Sequence, residues 1–172
     1  LTGNSSASIS ITISAGTLQF LGNNRLTNGT IYLANNSTLD LGGTTQTLAS
    51  LGQFSSPAAG NITAGTINTA GYVVLGGGTS AATFTGSGNG ARLWIGGDAA
   101  ATVTLNGTND MVFTTDHNEV VIGYGPTTGA AGTVKVGNAY ALAAATENVQ
   151  ILAGTLADNI TLLSELPRSS VA

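Results

Sequence analysis

At 172 residues the chain is long enough for one domain that buries well over half of its unfolded surface. Only 7% of residues are charged, 42% are hydrophobic, the net charge is −4 and Cys is absent. These values exclude a basic surface for nucleic acid or anionic membrane, disulfides and thiolate chemistry, and no apolar run approaches the ~20 residues of a membrane-spanning helix.

The polar remainder is Thr, Ser, Asn and 25 glycines, residues that are poor in helices and good in tight turns. An all-β chain of short strands with Gly/Asn-rich turns is expected. From Ser8 to Ser14 the sequence alternates strictly, with Ile9, Ile11 and Ile13 on one face. A unit of the form Gly/Ala/Ser-Thr-apolar-x-apolar then recurs. It appears as Gly16-Thr17-Leu18-Gln19-Phe20, Gly29-Thr30-Ile31-Tyr32-Leu33 and Ser37-Thr38-Leu39-Asp40-Leu41, and later as Gly65-Thr66-Ile67. Side chains alternate across a strand, so Leu18, Phe20, Ile31, Leu33, Leu39 and Leu41 share an inner face while Gln19, Tyr32 and Asp40 face water. Gly22-Asn23-Asn24, Asn35-Asn36, Gly42-Gly43, Gly76-Gly77-Gly78 and Gly86–Gly90 are turn signals. Gln46 to Leu51 reads as a further strand in a divergent coil.

The central stretch repeats itself. Arg92-Leu93-Trp94-Ile95-Gly96-Gly97 followed by Thr102-Val103-Thr104-Leu105-Asn106-Gly107 is matched by Val120-Val121-Ile122-Gly123-Tyr124-Gly125 followed by Thr133-Val134-Lys135-Val136-Gly137-Asn138. Imperfect repetition in units of two short strands points to a solenoid with one copy per rung. A sandwich or jelly roll would also space strands closely, but would not repeat one unit with its own turn chemistry so often. Ala139 to Thr146 is expected to be a short helical turn or a loose corner. Asn148–Ile151 and Asn159–Leu162 read as weaker strands. Residues 1–166 are expected to form a single β-solenoid domain, and 167–172, opening on Pro167, a tail.

The run from Gly16 through Asn23-Asn24, Gly29–Leu33 and Ser37–Gly43 to Gln46-Thr47-Leu48 and Leu51 resembles the autotransporter-associated β-strand repeat. Ile122-Gly123-Tyr124 through Gly132–Val136 is similar to a related repeat of type V secretion passengers and other exported bacterial proteins. Together they span Ser14 to Leu51 and Arg92 to Asn138. The resemblance implies a right-handed parallel β-helix in an exported, extracellular or cell-surface protein, and it implies no enzyme and no residue-level site. No segment reads as the membrane-spanning β-barrel translocator of such systems. The opening on Leu1, without a charged-then-apolar leader, is expected of a processed chain.

Little in the sequence carries catalysis. The one histidine lies in Asp116-His117-Asn118-Glu119, which reads as a solvated loop; one imidazole beside carboxylates does not make a metal geometry. There is no Gly-x-Ser-x-Gly elbow, and the acids (Asp40, Asp98, Asp110, Asp158 among them) are too scattered to nominate a hydrolytic pair. Gly86-Ser87-Gly88-Asn89-Gly90 lacks the Lys-Ser/Thr of a phosphate loop. No catalytic residue, metal ligand or cofactor is therefore expected. The expected role is a non-enzymatic structural block that stacks head to tail into a bacterial surface fibre or layer. Its assembly strands would carry Ile9, Ile11 and Ile13 at one end and Ile160 and Leu162 at the other. The alternative is an adhesin-type module in which the outward Tyr32 and Trp94 contact a cell-surface glycan or protein; a polysaccharide-active β-helix enzyme is a remote third.

Overall fold

Alternating apolar residues punctuated by Gly and Asn fold here into strands that, among the described residues, pair only in parallel, stacked as the coils of a β-solenoid. The computed structural model describes residues 3–5, 8–34, 36–52, 60–87, 92–95, 102–112, 119–122, 133–142, 148–151 and 155–158. The strands fall on three faces, and within each face a strand pairs in parallel with the strand of the next turn.

The first face stacks β1 (Ser10–Ile13), the end of β3 (Thr27–Leu33), the end of β5 (Thr45–Gly52), β7 (Tyr72–Leu75), β9 (Arg92–Ile95), β12 (Glu119–Ile122) and β14 (Asn148–Ile151). The second stacks β2 (Gly16–Gln19), β4 (Ser37–Asp40), the start of β6 (Asn61–Thr69), the start of β8 (Gly78–Ser87), β10 (Thr102–Leu105), β13 (Thr133–Val136) and β15 (Thr155–Asp158). The third is built from the starts of β3 and β5, the far halves of β6 and β8, and β11 (Asn109–Val112). Long strands such as β5, β6 and β8 bend around a corner and serve two faces.

Those corners are where the backbone needs special residues. Asn24, Asn28 and Asn36 hold positive φ of 50°, 59° and 58°, the left-handed conformation Asn tolerates best after Gly. Gly65 turns β6 from the second face to the third at φ 153°, and a Cβ there would lie 2.5 Å from Leu41 Cβ and 2.7 Å from the Thr44 carbonyl. Only glycine lets the chain pass this close over the rung below.

The core is a set of ladders of stacked aliphatics. On the first face Ile31, Leu51, Val73, Leu93 and Val120 are each 0% exposed and lie in successive register. Each such side chain contributes about 1.5–3 kcal/mol of burial. The repeat read from the sequence is one turn of the coil: Leu93-Trp94-Ile95 pairs with Val120-Val121-Ile122, and Thr102–Leu105 with Thr133–Val136.

Some expectations are adjusted. The first strand is shorter than Ser8–Ser14, and Ile9 lies outside it at 40% exposure. At Asn138 to Leu142 the chain makes a loose corner, closed by the Ala141 N–H donating to the Asn138 carbonyl at 3.0 Å, and no helix forms. Gln46, expected on a strand, is buried among the aliphatics. It is tolerated because its amide donates to the Gly22 carbonyl and Thr44 Oγ1 (both 2.8 Å) while its oxygen accepts the Arg25 N–H at 2.8 Å. The weak strand at Asn159–Leu162 and the tail 167–172 lie outside the described residues.

Candidate functional site

Two surfaces gather the residues singled out above, the end of the solenoid that opens on β1 and β2, and a ridge on the outside of the first face.

At the end, β1 pairs with β3 alone and β2 with β4 alone among the described residues. In a parallel ladder a residue sends its N–H and C=O to the same neighbour, and alternate residues send theirs to opposite sides. The Ile9 and Ile13 carbonyls accept from the Thr30 and Ala34 N–H groups at 2.9 and 3.0 Å, which turns the backbone groups of Ser10 and Thr12 to the open side. The Phe20 N–H donates to the Asp40 carbonyl at 2.9 Å and likewise turns Thr17 outward. The apolar columns fray here too. Ile31 and Leu39 are fully buried, but their partners one turn earlier, Ile11 and Leu18, are only half-buried. Ile9 is 40% and Leu21 60% exposed, whereas Ile13 is covered. No charged side chain precedes Arg25 in the chain. Natural sheet edges are normally protected by charge, Pro or a covering element, and the described residues at this end supply none of these.

At the opposite end, among the described residues, β14 pairs with β12 and β15 with β13, each on one side only. Ile160 and Leu162, assigned to this end by the sequence, lie outside the described residues. The last described strand, Thr155–Asp158, is one that sequence reasoning missed.

The ridge runs along outward register positions. Tyr32 lies opposite Thr12 below and Gly52 above, and Trp94 lies between Val74 and Val121. Tyr32, Tyr72, Arg92 and Trp94 are all half-buried. Tyr72 and Trp94 stack with centroids 5.9 Å apart and planes 9° from parallel, and the Arg92 guanidinium sits 5.6 Å above the indole. Such contacts are worth about 0.5–1.5 kcal/mol each. Tyr32 is hydrogen-bonded to Tyr72, and burial first, then Tyr72, push its phenol above the ordinary value of 10.0. Val74 and Val121 are each 4% exposed although they point away from the interior, and neither belongs to the central core. The ridge is thus a second, external apolar cluster with one cation on it. Sequence alternation placed Tyr32 and Trp94 outside correctly but missed Tyr72 and Arg92, because only the coil brings these together.

A third polar feature is structural. Asp40, on the outside of the second face, accepts from Gln19 Nε2 at 2.7 Å, Thr63 Oγ1 at 2.7 Å and the Gly42 N–H at 3.0 Å. These donors, Thr63 foremost, hold its carboxyl below the ordinary 3.8. The cluster ties three successive turns together. His117 and its neighbours Asp116 and Asn118 lie outside the described residues, and Glu119 is described only as the first backbone position of β12. Among the described residues no group of three His, Asp or Glu is placed to hold a metal ion, and no helix is long and apolar enough to cross a membrane.

No protein-family model matches the chain, and neither a curated protein nor a solved structure does.

Proposed function

We propose that this protein is a non-enzymatic structural block, extracellular or displayed on a bacterial surface, that lengthens by end-on, head-to-tail stacking of its coils. The observation that carries this reading is the end rung of β1 and β2: open ladder groups at Ser10, Thr12 and Thr17, apolar side chains at Ile9, Ile11, Leu18 and Leu21, and no charge. The strands at the two ends differ in sequence and share one direction, so a contact between them is heterologous and does not close, which builds a filament. Electron microscopy of the purified chain over a concentration series, in buffers from about pH 4.5 to about 7.5, tests this. Thr12→Pro removes an outward N–H without removing a bond to β3, and Pro is tolerated on an edge strand. Long fibres that Thr12→Pro shortens to single rods are expected. Separate rods at every concentration and pH overturn the reading.

The ridge favours a second reading, an adhesin-type module whose Tyr32, Tyr72, Trp94 and Arg92 contact a glycan or protein at the cell surface. Saturable binding by a monodisperse monomer, lost in Trp94→Ala, would support it over the first.

A further inference from the structure

We infer that Tyr32 and Tyr72 form a site of oxidative cross-linking, where a one-electron oxidant joins the two phenols and staples the second turn of the coil to the fourth.

The two residues sit on β3 and β7, strands that do not pair with each other. Tyr32 lies opposite Gly52 of the third turn, and Leu51 lies opposite Val73 of the fourth, which places Tyr72 over Ser50. At ~4.8 Å per turn the two backbones are about 10 Å apart, yet the side chains share a hydrogen bond. The turn between them makes this possible, because Gly52 and Ser50 stand at its outward positions. Both are buried although they face away from the core. The phenols therefore reach towards each other along the face, over the intervening turn.

Little else on the described surface competes for an oxidant. Cys is absent, and the single methionine, Met111, is 0% exposed. Tyr140 is 66% exposed, but no second phenol lies against it among the described residues. Trp94 stacks on Tyr72 with centroids 5.9 Å apart, so oxidisable rings run without a break from the second turn to the fifth.

The oxidant is of the class that a haem peroxidase generates from hydrogen peroxide. Each phenol loses one electron and its hydroxyl proton and becomes a phenoxyl radical. The two radicals join by a carbon–carbon bond between ring carbons ortho to the oxygens. The ortho hydrogens then move to oxygen and restore both phenols. In sum, two hydrogen atoms leave the protein and reduce one hydrogen peroxide to two waters. Radicals held in contact couple far more readily than radicals that must meet by diffusion. The bond closes the chain from 32 to 72 into a loop, which restricts the unfolded chain as a disulfide does.

Treatment of the full chain, kept dilute, with a haem peroxidase and hydrogen peroxide tests the site. Dityrosine fluorescence and peptide mass mapping of single chains cut from a denaturing gel provide the readout. A linked peptide pair carrying Tyr32 and Tyr72, lighter by two hydrogen atoms, is expected. Tyr32→Phe and Tyr72→Phe should each lose it, while Tyr140→Phe and Trp94→Phe should keep it. The cross-linked chain should also melt at a higher temperature than the untreated one. Dityrosine that maps only to other tyrosines, or that only joins separate chains, overturns the site. A mapped Tyr32–Tyr72 bond with an unchanged melt overturns the staple.

Discussion

Single side chains tie successive turns of this coil together, and Asp40 shows how. Three donors from two neighbouring turns and its own corner stabilise the carboxylate form, so the folded protein holds a lower carboxyl pKa than the unfolded chain. The contribution is fully present above the unfolded value of 3.8 and is lost as pH falls through the folded one. Denaturant melts of wild type and Asp40→Asn should therefore differ by a constant amount above about pH 5 and converge in stronger acid. Backbone limits are equally local. Gly16 and Gly65 both hold positive φ, at 78° and 153°, but a Cβ on Gly16 meets nothing within 4 Å. Gly16→Ala should cost about 1–2 kcal/mol of strain alone. Gly65→Ala, which adds a clash with Leu41 and the Thr44 carbonyl, should cost about 3 kcal/mol or more by thermal melting.

Among the elements, legibility followed side-chain size. The Gly-Thr-apolar-x-apolar units became β2, β3 and β4, and the repeat beginning at Leu93 and Val120 stacks in the register the sequence aligned. β8 and β11 escaped notice because Ser80, Ala82 and Asn109 occupy inward positions and blunt the alternation. Neighbouring backbone supplies part of what such residues need: Ser80 Oγ accepts the Ala82 N–H at 3.4 Å and Asn109 Oδ1 the Met111 N–H at 3.3 Å, while Asn109 Nδ2 is buried without a partner among the described residues, and composition announces none of this. The outer ridge was half legible. Outwardness of Tyr32 and Trp94 follows from period two, but their link through Tyr72 depends on which turn lies above which. Removing that link has a defined readout. Tyr72→Ala should bring the Tyr32 phenol back toward 10.0, seen by ultraviolet titration against Tyr32→Phe, and should change the fluorescence of Trp94.

At the scale of the whole molecule, the three-faced coil carries no closed end among its described residues, and its two ends are chemically unlike. One carries aliphatics at Ile9, Ile11 and Leu21 with no charged residue before Arg25; the other ends on the strands β14 and β15, whose sequences differ from those of β1 and β2. That asymmetry gives any assembly a direction. The solenoid was readable from the sequence because every turn repeats the same inward face. Of the ends, only the strand carrying Ile11 and Ile13 was legible, as the first clear alternation in the chain, since an end is defined by a missing neighbour rather than by a residue type.

The turns of the coil are not equal in length. Ile11 to Ile31 and Val73 to Leu93 each take 20 residues, Leu93 to Val120 takes 27, and Val103 to Val134 takes 31, yet the registers stay unbroken across all of them. The fold counts strands, not residues. Lengthening a connection costs little, about 0.6 kcal/mol per doubling, so the segments between β9 and β10 and between β12 and β13 are free to diversify while the scaffold beneath them is held constant. In a repeating assembly each such loop would recur at a fixed spacing, and a change written once in the chain would be displayed along its whole length.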